Sequence, residues 1–425
     1  MKILVKNVTL VSAANRRQLV DIAIKNKKTF KVGDVTDFSA DKIIEAKGLL
    51  AVPGFVDLSA RLREPGNSNH GTIASETQAA AAGGFSTVCI PPDTEPVIDN
   101  PAVVELIQQR QEQANQTEIL PLAAMTQDLK GKRLGAVGTL CEEGCVGVSN
   151  ALAEFASARV LFRALQYAKS FGLTAHLHPV NYALVGEGSA HQGMAADDLG
   201  LPGISQAAET TALAEILMLS EETGAKVHIC RISCARSVEL IAQAKARDIK
   251  VTADVAAHQL FYTEDNLYEF DPNFHVMPPF RTKEDRQALR QGVIDGTIDA
   301  ICSDHQPQDA DSKLAPFSAS AVGISSLESF TADILKFCAE EKIKLAKLLP
   351  ALNKNPARIL GIEENVIAPG KKASFCLVDP DRQWQFVADN MHSKGKNSPR
   401  LGQTLRGQVM HNIVAGKHIF ARDNP

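Results

Sequence analysis

Few side chains in this 425-residue chain have the type and spacing to do chemistry. His176-Leu177-His178 is an H-x-H, and alternate residues of an extended strand share a face, so both imidazoles would point the same way. Such a pair can hold a divalent ion that acidifies bound water, and a pair of packed structural histidines is the other reading. Two C-x3-C pairs, Cys141/Cys145 and Cys230/Cys234, lack the spacing of a zinc knuckle and read as buried free thiols. The stretch Pro53-Gly54-Phe55-Val56-Asp57-Leu58-Ser59-Ala60-Arg61-Leu62-Arg63-Glu64-Pro65-Gly66 is an apolar run that ends in small, polar and charged residues and a turn. A buried parallel strand delivering residues into a loop at its carboxyl end looks like this.

The elements that would position these groups alternate. After the opening run Leu49 to Leu58, apolar β-type segments recur at Phe85 to Ile90, Ile119 to Met125, Cys145 to Ser149, Leu173 to Leu177, Lys226 to Ile232, Lys250 to Val255 and Ile298 to Ser303. Helical patterns lie between them at Thr72 to Ala82, Val103 to Ala114, Arg159 to Phe171, Gln206 to Thr223, Ala235 to Ala246 and Lys283 to Val293. Eight β runs interleaved with helices predict an α/β protein with a (β/α)8 barrel. A doubly wound sheet is the alternative, but no glycine-rich phosphate turn follows the first strand. Short strands near Ile3 to Val11, Val20 to Ile24, Ser374 to Val378, Gln408 to Met410 and Ile413 to Phe420 predict a small β-sandwich built from both termini. The expected division is residues 1–50 with 366–425 for the sandwich and 51–365 for the barrel.

Hydrophobic content of 44% and charged content of 22% are ordinary for a globular chain, and the net charge of -4 argues for neither nucleic acid nor an anionic membrane surface. No apolar run reaches membrane-spanning length and the start lacks a secretory signal core, so a cytoplasmic location is expected.

The motifs closely resemble those of the dihydroorotases, cyclic-amide hydrolases of the amidohydrolase superfamily. In that family the first strand reads PGFVD, a hydrophobic residue, His-x-His, then LREPG, and the two histidines bind catalytic zinc. Here those positions are Ser59 and Arg61. A hydroxyl is a poor zinc ligand, and a guanidinium stays protonated and repels a dication. The resemblance places an acidic residue or carboxylated lysine near Asn150, a ligand histidine at His176, a second at Arg231 in His228-Ile229-Cys230-Arg231-Ile232-Ser233, and the general base at Asp304. His228 itself reads as a packed core histidine. The substrate-pocket positions it implies are Arg63, which in the family clamps a carboxylate; Asp93 and Met277, both asparagine in the family; and His258, half of a family His pair.

Further likeness runs nearly end to end, through Thr72-Ile73-Ala74-Ser75-Glu76-Thr77, Asn355-Pro356-Ala357-Arg358-Ile359-Leu360-Gly361 and Leu405-Arg406-Gly407-Gln408-Val409. Scaffold motifs persist while, of the metal positions, only His176 and Asp304 do. That pattern is similar to the non-catalytic dihydroorotase-like subunits that assemble with aspartate transcarbamoylase in pyrimidine biosynthesis. The resemblance therefore implies no catalytic residue beyond a vestigial Asp304, no cofactor, and a hetero-oligomer with aspartate transcarbamoylase chains, six of each. The alternative is a working cyclic-amide hydrolase with a reduced zinc site from His176, His178 and Asp304. A third reading is a small-molecule sensor with Arg63 at the floor of an emptied pocket.

Overall fold

The computed structural model describes residues 1–11 and 18–422. The opening strands are β1 (Ile3–Leu10), β2 (Gln18–Lys25), β3 (Lys28–Gly33), β4 (Lys42–Glu45) and β5 (Leu50–Pro53). The closing strands are β16 (Phe375–Gln385), β17 (Thr404–Val414) and β18 (Lys417–Ala421). All eight join one sheet in the order β18-β17-β16-β5-β1-β2-β3, with β4 on β1. Alternation along these strands sends Ile3, Val5, Ile22, Ile24, Phe375, Leu377 and Ile413 into one shared core.

The barrel follows in chain order: β6 (Phe55–Asp57), β7 (Phe85–Ile90), β8 (Glu118–Ala124), β9 (Gly147–Ser149), β10 (Thr174–Leu177), β13 (Lys226–Ile229), β14 (Val251–Ala256) and β15 (Ala300–Cys302). A separate two-stranded pair, β11 (Ala190–His191) and β12 (Gly203–Ile204), sits in the loop after β10. The eight barrel strands are parallel neighbours in sequence order. A parallel bridge between Ala60 and His305 brings β15 back to the first strand, with Arg61 N donating to His305 O at 2.8 Å. The expected barrel is therefore the fold, the terminal strands expected as a small β-sandwich join in one eight-stranded sheet, and each predicted helix is present within a few residues of its expected bounds.

The opening run is not one strand. Leu50–Pro53 pairs antiparallel with Phe375–Val378 in the terminal sheet, whereas Phe55–Asp57 starts the barrel. Gly54 makes the transfer, because a Cβ there would lie 2.6 Å from Ser86 Cβ. A helix at Phe330–Glu340 and strands β3 and β4 were not expected. Between β16 and β17, residues 388–400 leave the terminal sheet and strap the barrel mouth. Asn397 Nδ2 donates to Gln306 O at 3.0 Å and to Gly323 O at 2.9 Å, and Lys394 N donates to Glu76 Oε1 at 3.0 Å.

Candidate functional site

The carboxyl ends of β6, β13 and β15 deliver Ser59, Arg231 and Asp304 to one point. Arg231 Nη1 donates to Ser59 Oγ at 2.8 Å, and Arg231 Nε lies 3.3 Å from Asp304 Oδ1. Arg61 reaches the same carboxylate, with Nη1 at 3.9 Å, while its Nε donates to Asp93 Oδ2 at 2.9 Å. All but Asp93 are deeply buried. Burial is the largest single influence and works against the Arg231 charge, but Asp304 together with Cys230, Asp254 and Cys302 outweighs it and holds the guanidinium protonated. Burial pushes the Asp304 carboxyl above its ordinary value, and the charges of Arg231 and Arg61 pull it only part of the way back. Arg231 and Asp304 both have left-handed backbones, at φ 55 and 47, so local strain is spent on aiming these two side chains.

Cationic guanidinium groups thus satisfy the one carboxylate that a divalent ion would need here. Asn150 is equally committed: Oδ1 accepts from Thr126 Oγ1 at 2.7 Å and Nδ2 donates to Ala153 O at 2.9 Å. These residues do not fit a metal at the mouth.

The sequence-derived trio His176, His178 and Asp304 does not come together. Among the described residues, the metal-type donor atoms that converge, all within 4.8 Å of one another, belong to His176, His228 and Cys230. The strand pairing explains this: His176 and His228 are register partners on β10 and β13, their rings 5.1 Å apart. Both His176 ring nitrogens lack a hydrogen-bond partner, and burial drives its pKa well below the ordinary value. His228 is less available: Nε2 faces Asp254 Oδ2 at 3.0 Å and Nδ1 faces Thr252 Oγ1 at 2.9 Å. Burial also raises the Cys230 thiol, which disfavours the thiolate that a metal would require. The trio is a recognisable His/Cys site, with only His176 free to serve as a ligand without losing a bond.

His178, beyond the strand end, turns elsewhere. Its Nδ1 lies 2.9 Å from Cys230 O, so Nδ1 carries the proton, and desolvation with the nearby Arg231 charge lowers its pKa to about 3.

Of the expected pocket residues, Arg63 and Asp93 line one cavity of about 240 Å³ with Arg61, His70 and Gln308. Arg63 Nε donates to Pro307 O at 3.0 Å, and burial lowers its pKa to about 10. His258 and Met277 lie outside it: His258 packs edge-on to Phe280 at 5.6 Å, and Met277 packs with Val185, Ile204 and Ala208.

Several buried acids escaped the sequence reading, Asp57, Asp254 and Glu76 among them. Asp57 accepts from Ser303 N at 2.9 Å and ties β6 to β15. Asp254 takes His228 and the Arg231 backbone N–H. Glu76 binds His305 Nε2 at 2.8 Å. For Asp57 and Asp254 the signal is an acid inside an apolar run, as in Phe55-Val56-Asp57-Leu58; Glu76, among Ser75, Thr77 and Gln78, carries no such signal.

The class of fold is a parallel eight-stranded (β/α) barrel joined to a second sheet built from both termini. In structure the chain resembles the L-hydantoinase (dihydropyrimidinase) of Arthrobacter aurescens, with a TM-score of 0.87 over 99% of this chain and 96% of that one at 22% identity, a likeness of fold. A family profile described as Dihydro-orotase-like matches residues 48–237. In sequence the chain is 42% identical to a "Dihydroorotase-like protein" of Pseudomonas aeruginosa over 95% of this chain and 96% of that one. It is 37% identical to a "Dihydroorotase" of Geobacter metallireducens over 95% and 96%. The chain belongs to the dihydroorotase-like family of the amidohydrolase superfamily. Among the described residues no helix is long and apolar enough to cross a membrane.

Proposed function

We propose that this chain is a dihydroorotase-like pseudoenzyme that serves as a structural subunit for aspartate transcarbamoylase. The carrying observation is the Arg231 guanidinium between Ser59 Oγ and Asp304 Oδ1, with Arg61 behind it. A hydrolase of this class needs a metal to lower the pKa of its water, and Asp304 as base needs that water to deprotonate. Here the carboxylate is spent on two cations. With no catalytic load, the barrel is free to act as scaffold, and partner chains are what the resemblance to non-catalytic subunits supplies.

The test is interconversion of dihydroorotate and carbamoyl aspartate by the purified chain, together with its co-elution with aspartate transcarbamoylase chains. The reading expects no turnover and a stable complex. Turnover that chelation abolishes would overturn the first half, and separate elution the second.

A second reading, an active cyclic-amide hydrolase, has two observations in its favour. Both ring nitrogens of buried His176 are unpartnered, and the Geobacter metallireducens relative bears the name of the enzyme. Under it, alanine at His176 would remove both metal and activity.

A further inference from the structure

His176 is 1% exposed, and neither Nδ1 nor Nε2 has a hydrogen bond among the described residues. Buried polar groups are bonded almost without exception, so an imidazole orphaned at both nitrogens calls for a partner.

The donors around it are soft and share one face. His228 lies across from His176 in strand register, and Cys230 follows two residues later along the same run. One donor atom from each of the three lies within 4.8 Å of the other two. A triangle with sides of 4.8 Å has its centre about 2.8 Å from each corner, and zinc binds nitrogen and sulfur at about 2.0–2.3 Å. Side-chain shifts of under about 1 Å therefore close the site. Gly147, on the neighbouring β9, leaves the His176 ring its place, since a Cβ there would lie 3.1 Å from Nε2.

The other two donors can change role. Thr252 Oγ1, 2.9 Å from His228 Nδ1, accepts as readily as it donates, and its own hydrogen has a second acceptor in Val227 O at 3.5 Å. With the proton on Nδ1, Nε2 is free to bind an ion, and Thr252 fixes the ring as outer partners of metal-bound histidines do. The cost is the hydrogen bond from Nε2 to Asp254 Oδ2, 3.0 Å away. Asp254 keeps the Arg231 N–H, and its charge stays beside the ligating nitrogen. Cys230 Sγ gives up only a long contact to His228 O at 3.8 Å. A dication expels the thiol proton outright, whatever burial imposes on the free thiol. The two charges of zinc are then balanced by the Cys230 thiolate and the Asp254 carboxylate, so the barrel interior gains no unpaired charge.

We propose that His176, His228 and Cys230 bind one zinc ion inside the barrel, a structural brace between β10 and β13 that uses none of Ser59, Arg61, Arg231 or Asp304. The thiol proton leaves to solvent as the ion binds. All three donors are buried, so the ion enters as the chain folds. The brace needs neither turnover nor a partner subunit.

The test is the full chain produced in medium supplemented with zinc or with cobalt. Readouts are metal per chain, the zinc X-ray absorption spectrum and the near-ultraviolet spectrum of the cobalt form. The variants are His228→Gln, Cys230→Ser, Asp304→Asn and, as a control elsewhere in the chain, Cys338→Ser. The expected shell holds one sulfur at about 2.3 Å and nitrogens at about 2.0–2.1 Å, and the cobalt form shows a thiolate-to-metal band. His228→Gln and Cys230→Ser should lower metal content at least about tenfold and remove that band, while Asp304→Asn and Cys338→Ser change neither. Zinc-free protein would overturn the proposal, as would a zinc shell without sulfur. Metal kept by Cys230→Ser but lost from Asp304→Asn would also overturn it, and would put the ion at the mouth, as the hydrolase reading expects. Should a variant fail to fold, sulfur in the parent's absorption spectrum decides by itself.

Discussion

Replacing Arg231 with methionine probes the barrel mouth most sharply. At 3.3 Å from Asp304, and with an effective dielectric of about 20, the guanidinium contributes roughly 5 kcal/mol of attraction. Arg61, at 3.9 Å and shared with Asp93, offers roughly 4 kcal/mol and cannot fully replace it. Both partners of the Arg231–Asp304 pair are buried, so the substitution leaves a carboxylate with half its compensation in a water-poor site. Ser59 Oγ loses its donor as well. Breaking a buried pair from one side costs about 3–5 kcal/mol.

The assay is a double-mutant cycle in urea with Arg231→Met, Asp304→Asn and the double variant. Because the second substitution removes the orphaned charge, the double variant should recover much of the loss, giving a coupling of about 2–3 kcal/mol. Effects that add to within about 0.5 kcal/mol would refute the pairing.

Other consequences are simpler to read. Burial raises the Asp57 carboxyl to about 7 from its ordinary 3.8. The folded chain therefore keeps a proton that the unfolded chain releases between those pH values, and this group's contribution falls as pH rises through them. Asp57→Asn should gain stability relative to the parent across that window, by up to about 4 kcal/mol, in melts run from acid to neutral pH; parallel curves would contradict it. Burial would raise Glu76, but hydrogen bonds from His305 and Ser75 and the His305 charge hold its carboxyl below the ordinary range. Glu76 also anchors the strap through Lys394 N. Glu76→Gln should cost about 2 kcal/mol and speed amide exchange at residues 393–397; unchanged exchange would show that the strap is held otherwise.

Much of the architecture was legible in the chain because the barrel strands are buried on both faces and read as apolar runs, as in Phe85-Ser86-Thr87-Val88-Cys89-Ile90. Legibility failed where local pattern and long-range pairing part company. Leu49 to Leu58 looks like one strand, and only the pairing of Leu50–Pro53 with Phe375–Val378 divides it. Strand β3 is rich in lysine, which masks its alternation. At the site, family motifs located Ser59, Arg61, Asn150, His176, Arg231 and Asp304, but no spacing rule says that Arg231 bonds Ser59 across 172 positions. The same limit applies to His228 and Cys230: the H-x-H motif drew attention to His178, whereas register brings His176 to His228.

The central claim is that a guanidinium fills the seat a divalent ion would take at the barrel mouth. X-ray diffraction above and below the zinc edge, on crystals grown with zinc and without chelator, tests it most directly. The account predicts density for Arg231 bridging Ser59 and Asp304 and no anomalous peak beside that carboxylate. A strong anomalous peak at Asp304, with Arg231 swung away, would contradict it.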